Sequence, residues 1–199
     1  MPASKRINNP TLNDHAAGIG YLCIMYNGLE VRVDAILGAL SGLADEPLGC
    51  FTTQFDLKKK LLTLKALAFQ NKPSALWYDD IKLMCWATES YIIPKRNRFV
   101  HDIWLALPSG ALRRYERIRI EPLQARQEPQ LTTFEDISTT ADEIWALVHE
   151  TKDVSNIFRH LHAAYKSGLA KTEPAKVYPQ SYRDKWSARR KPPKEGDSK

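Results

Sequence analysis

Cysteine, glycine and long apolar runs are scarce in this 199-residue chain, and each scarcity removes a class of protein. Three cysteines, Cys23, Cys50 and Cys85, are odd in number and widely spaced, so they make neither a disulfide framework nor a Cys-x-x-Cys metal knuckle. Cys23 and Cys85 fall inside apolar helical patterns and read as plain core thiols of a reducing compartment. Nine glycines are too few for a glycine-punctuated all-β or repeat protein. No window approaches the ~18 apolar residues of a membrane span. The opening Met-Pro-Ala-Ser-Lys-Arg lacks the apolar stretch of a signal peptide, so the expectation is a cytoplasmic protein with no membrane partner. There is no glycine-rich phosphate loop and no Gly-x-Ser-x-Gly. His149, His160 and His162 have no clustered acids or cysteines to complete a metal site, so neither metal nor cofactor is expected.

What is present is 43% hydrophobic content, enough for a sizeable core, and a net charge of +6. Residues 171–199 alone carry +5, so the basic character belongs mainly to the C-terminal stretch. That stretch interleaves Tyr178, Tyr182 and Trp186 with its cations, has little aliphatic content, and reads from 169 onward as a disordered basic tail suited to RNA, or equally to docking a partner or keeping the chain soluble. Residues 1–12 read as a flexible N-terminus, and 13–168 as one helical domain.

Apolar residues at Ile19, Leu22, Cys23, Tyr26, Leu29, Val33, Ile36, Leu37 and Leu40 recur every three or four positions, which predicts a helix over Asp14–Leu40 capped by Asn13 or Asp14. A second helix is expected after a Thr52/Thr53 cap, with Leu57, Leu61, Leu64 and Leu67 inward. A third begins at Ser74 and turns Leu76, Trp77, Ile81, Met84, Cys85 and Thr88 inward. Pro94 should kink or restart it, lacking an N–H and crowding the preceding turn. Ile103–Leu107 and Leu112–Ile120, around Pro108-Ser109-Gly110, look like two short strands. Pro122 and Pro129 mark a loop to about Thr140, and a last long helix covers Thr140–Tyr165. The fold class is all-α: an up-down helical bundle carrying a small β-hairpin.

One segment carries chemistry. Arg96-Asn97-x-x-x-His101 lies late in the third helical stretch, followed by Asp102 and Trp104. This resembles the signature of the HEPN superfamily (higher eukaryotes and prokaryotes nucleotide-binding), an Arg, a polar residue and a His four positions on. The resemblance spans residues 12–165 as architecture and Arg96, Asn97 and His101 as motif. It implies metal-independent cleavage of RNA, commonly by a homodimer, in a toxin–antitoxin, phage-defence or RNA-processing setting with an antitoxin or other regulatory protein as partner. The residue types suit that chemistry. Histidine exchanges protons near neutrality, and arginine offers a permanently charged fork matched to phosphate oxygens. Asn97 can hydrogen-bond a phosphate or orient the imidazole.

At ~100° per residue, Arg96 and His101, five apart, diverge by about 140°, whereas Asn97 and His101 share a face. The spacing leaves three routes open: the helix ends or distorts here, Arg96 wraps round it, or two protomers combine their motifs. Lys95, Arg98 and the cations Arg113, Arg117 and Arg119, which alternation puts on one side of the second strand, are candidate phosphate contacts. Glu30, beside Asn27, is a candidate polar partner. The competing reading is a catalytically silent module of the same type that binds RNA, a nucleotide or a protein.

Overall fold

The computed structural model describes residues 10–71, 74–106, 112–115, 136–137, 139–172 and 180–190, and these are mostly helical. The helices are α1 (Pro10–Ser41), α2 (Asp45–Thr52), α3 (Leu57–Gln70), α4 (Ala75–Ala87), α5 (Ile93–His101), α6 (Ala141–Lys166), α7 (Leu169–Thr172) and α8 (Gln180–Arg189), with a π-helical stretch at Thr88–Ile92. Strands β1 (Ile103–Ala106), β2 (Leu112–Tyr115) and β3 (Asp136–Ile137) form a small antiparallel sheet in the order β1-β2-β3. Among the described residues no helix is long and apolar enough to cross a membrane.

The chain divides into two compact units. One contains the described residues up to Ile24 and those of Ile93–His149; the other contains Met25–Ile92 and the described residues from Glu150 onward. Both α1 and α6 contribute to each.

In the second unit the expected apolar stripe of α1 is buried at Leu29, Val33, Ile36, Leu37 and Leu40. Leu57, Leu61 and Leu64 of α3, Trp77, Ile81, Met84 and Cys85 of α4, and Val154, Ile157, Phe158 and Leu161 of α6 are buried in the same unit. Trp77 also donates its indole N–H to the Leu161 carbonyl at 3.0 Å, so a large apolar body is buried without orphaning its polar atom. Asn71 ties three elements together: its Nδ2 donates to Leu40 O and Leu67 O, and its Oδ1 accepts from the Tyr165 hydroxyl. Gly42 ends α1 at φ +70°, a left-handed conformation that glycine adopts without Cβ strain. Gly38 is a close approach, since a Cβ there would meet Leu48 Cδ2 at 2.7 Å.

Several boundaries differ from the sequence expectation. α1 begins at Pro10 rather than at an Asn13 or Asp14 cap, because a proline in the first turn has no N–H to leave unsatisfied. Between the first two expected helices, Asp45–Thr52 forms a further short helix, α2. The cap of α3 is Asp56, whose carboxylate accepts from Lys59 N at 2.8 Å, and not Thr52 or Thr53. Leu76 points outward at 47% exposure, since it lies in the first turn of α4 beside the buried Trp77. Ser74 does cap α4, accepting from Trp77 N. Thr140 and Glu143 form a reciprocal capping box at the start of α6. At Pro94 the helix neither ends nor continues unchanged. It widens into the π-helical stretch and restarts as α5, which relieves the clash of a proline ring with the carbonyl four residues earlier. Asp136–Ile137, placed in a loop, pairs with β2.

The largest departure is the C-terminal stretch. It was expected to be disordered from 169 onward, yet α7 and α8 are helical; residues 173–179 and 191–199 lie outside the described residues. Trp186 of α8 is fully buried and meets the Tyr91 ring at 5.5 Å. Arg183 grips the Asp80 carboxylate through two hydrogen bonds of 2.8 and 2.6 Å. Arg189 pairs with Glu150 at 2.6 Å and Lys185 with Asp153 at 3.2 Å. Three cations read as free for RNA are thus engaged by acids of the same unit.

Replacing Trp186 by Ala removes a fully buried indole and should lower unfolding stability by about 3–5 kcal/mol, read as a shifted urea midpoint. An unchanged midpoint would mean that α8 contributes nothing to the folded unit.

Candidate functional site

α5 is short and divided in character: Ile93 and Phe99 are buried, whereas Lys95, Arg98 and His101 are exposed. Its sequence, Ile-Pro-Lys-Arg-Asn-Arg-Phe-Val-His, has too few apolar residues to bury more than one edge, so the polar groups face outward. The helix is regular from Ile93 through His101, so the distortion lies before the motif and not within it.

The Arg96 side chain spans the angular gap. Its Nη1 lies 3.0 Å from His101 Nε2 and 3.2 Å from Asn97 Oδ1. Of the routes that spacing left open, a single chain takes the wrapping one. The contact fixes a tautomer by elimination, because a guanidinium can only donate. His101 Nε2 must accept from Arg96, which places the ring proton on Nδ1. Asn97 supplies its carbonyl oxygen to the same guanidinium. Arg96, Asn97 and His101 therefore form one hydrogen-bonded set at the end of α5, with the histidine at its exposed edge.

The other predicted contacts divide. Lys95 and Arg98 share α5 with the set. Arg113 stands on β2 opposite Leu105 of β1. Arg117 and Arg119 lie outside the described residues.

Glu30 belongs to a different place. It sits in the second unit with Asp34, and Lys60 Nζ contacts Glu30 Oε1 at 2.7 Å and Asp34 Oδ2 at 2.9 Å. Glu30 is therefore a structural counter-ion of Lys60. His149 is in the first unit, while His160 and His162 are in the second. Burial, with Lys166 and Arg32 nearby, pushes His162 below the ordinary histidine range. Among the described residues no group of three or more potential metal ligands comes together. Cys85 is a buried thiol whose pKa burial drives far up, leaving it protonated and inert.

Residues that the motif alone did not single out surround its C-terminal end. The Trp104 indole N–H donates to Phe99 O at 2.9 Å, and Asp102 N donates to Arg98 O at 3.1 Å, so two of the carbonyls a helix end leaves open are satisfied. The His15 ring packs edge-on against Trp104 at 5.6 Å. His15 is itself held between Thr11 O at 2.8 Å and Thr139 O at 3.1 Å. Arg114, from β2, is buried beside Asp102. Only the alternation of the arginine run hinted at this, by placing Arg114 opposite in face to Arg113.

No protein-family model matches this chain, and no curated protein or solved structure matches it either.

The Lys60 cluster gives a test of what is structural. Burial works to lower the Lys60 pKa, but the hydrogen bonds and charges of Glu30 and Asp34 outweigh it and the net direction is up. Burial raises Asp34 by more than Lys60 lowers it. Lys60, the most enclosed of the three and in contact with both acids, sets the sign. With a folded pKa above the ordinary 10.5, its contribution is complete below that pH and is lost as pH climbs through the folded value. Lys60→Met should cost about 2 kcal/mol at pH 7, less than a fully buried pair because both carboxylates keep some water. The variant's deficit against wild type should shrink as pH rises past the ordinary lysine value of 10.5 in chemical denaturation.

Proposed function

We propose that this protein is a metal-independent endoribonuclease of HEPN type, cutting RNA by attack of a ribose 2′-hydroxyl on the adjoining phosphate. The observation that carries the reading is the hydrogen-bonded set of Arg96, Asn97 and His101 on the exposed edge of α5. His101 Nε2, which accepts from Arg96 in the free protein, is the lone pair a 2′-hydroxyl proton would take. An arriving phosphate would compete for the Arg96 fork and free that lone pair. As O2′ bonds to phosphorus, the hydroxyl proton passes to His101 and the P–O5′ bond breaks. O5′ then takes up a proton, giving a 2′,3′-cyclic phosphate and a 5′-hydroxyl. Arg96 offsets the charge building on the phosphoryl oxygens, and Asn97 holds Arg96 in place. Lys95, Arg98 and Arg113 would steer the backbone.

A symmetric homodimer would bring a second His101 as the acid for O5′. In the unit that holds the motif, the outward residues of α1 suit a partner surface: Tyr21 and Ile24 are 51% and 61% exposed. A toxin, phage-defence or RNA-processing role, with an antitoxin or regulatory partner, goes with this reading. The silent binding module is the second reading. It is favoured by the same closed Arg96–His101 contact if RNA does not open it.

Purified protein incubated with total RNA in EDTA should yield 2′,3′-cyclic or hydrolysed phosphate ends. His101→Ala and Arg96→Ala should each reduce cleavage at least about 100-fold while leaving the fold intact. Arg96→Lys should not rescue, because an ammonium lacks the planar fork. Cleavage that survives in His101→Ala, or that needs added magnesium, would overturn the mechanism. RNA binding without cleavage by the wild type would select the silent module.

A further inference from the structure

We propose that Arg114 is a positioning residue for His101, acting through Asp102 and Phe99. The proposal deepens the endoribonuclease reading and rests on it for the catalytic role of His101. His101 is the last residue of α5, where helices fray and where its imidazole stands exposed. Arg114 holds the chain on both sides of it. Its Nη1 lies 3.7 Å from Asp102 Oδ2, one residue after His101, and its guanidinium carbon lies 5.3 Å from the Phe99 ring centre, two residues before. Both side chains of the ion pair are 6% exposed, so water cannot substitute for either partner.

Arg114 sits on β2, the central strand, with Trp104 of β1 and Ile137 of β3 as its backbone neighbours. The guanidinium is therefore anchored from a strand paired on both edges. Trp104 adds a second tie through its hydrogen bond to Phe99 O. Buried as it is, Arg114 reaches no substrate, so its effect passes through the direction in which His101 leaves the backbone. That direction decides whether Nε2 meets Arg96 at 3.0 Å. At 3.7 Å the contact is an ion pair and not a hydrogen bond, and such a buried pair gains little stability over an apolar pair of the same volume; what it supplies is a charge on β2 that holds the residue next to His101.

The test compares full-length wild type, Arg114→Met and the double variant Asp102→Leu/Arg114→Met. At alkaline pH, where imidazoles are neutral, long-range 15N–1H spectra report which ring nitrogen carries the proton. Wild-type His101 should show a protonated Nδ1 and an accepting Nε2. Arg114→Met should shift His101 toward the Nε2-protonated form and lower kcat about 10–100-fold, with KM changed less than about twofold. The double variant, with both charges replaced by apolar side chains, should recover thermal stability yet keep the altered His101 spectrum and low kcat. A merely structural role would restore all three together, which would overturn the proposal. So would a folded Arg114→Met with the wild-type His101 spectrum. If Arg114→Met does not fold, the double variant supplies the comparison. Should wild type not cleave RNA, the endoribonuclease reading fails, while the His101 spectra still decide whether Arg114 positions the ring.

Discussion

Asp80 of α4 is enclosed to 2% exposure, and a charge so placed is costly unless a partner of opposite sign meets it with good geometry. Arg183 supplies that partner from α8, 103 residues along the chain, through a two-bond fork. The same requirement recurs wherever a charge is taken from water here. Lys60 draws in Glu30 and Asp34, Glu150 meets Arg189, and Asp102 meets Arg114. Apolar stripes build the core, but these pairs determine which segments join it. The C-terminal helix has little besides Trp186 to bury, and it is held by charge as much as by packing.

That constraint bears on the net charge. A stretch carrying +5 suggests a nucleic-acid arm, and Arg183, Lys185 and Arg189 account for much of it. Once Asp80, Asp153 and Glu150 engage them, their attraction for phosphate is largely spent within the fold. Lys95 and Arg98, by contrast, stand exposed on the same short helix as His101. A donor-only guanidinium against an imidazole then makes the set directional: one proton location satisfies it, and a phosphate arriving at Arg96 would change it.

The sequence by itself determined the helical class, the long apolar faces of α1 and α6, the cap at Ser74 and the break around Pro94. Each follows from local rules: a stripe repeating every three or four residues, a hydroxyl beside free N–H groups, a ring without a donor. It also located Arg96, Asn97 and His101, whose interest lies in residue type and order. Tertiary structure alone decided how Arg96 crosses the helix to His101, since a five-residue spacing permits several solutions and only the side-chain path selects one. It alone decided that Glu30 serves Lys60, that Arg114 faces inward, and that α8 belongs to the core. Those outcomes depend on partners 12 to 103 residues away, Asp102 for Arg114 and Asp80 for Arg183 among them, and a charged side chain carries no periodic signal of where its counter-ion will be.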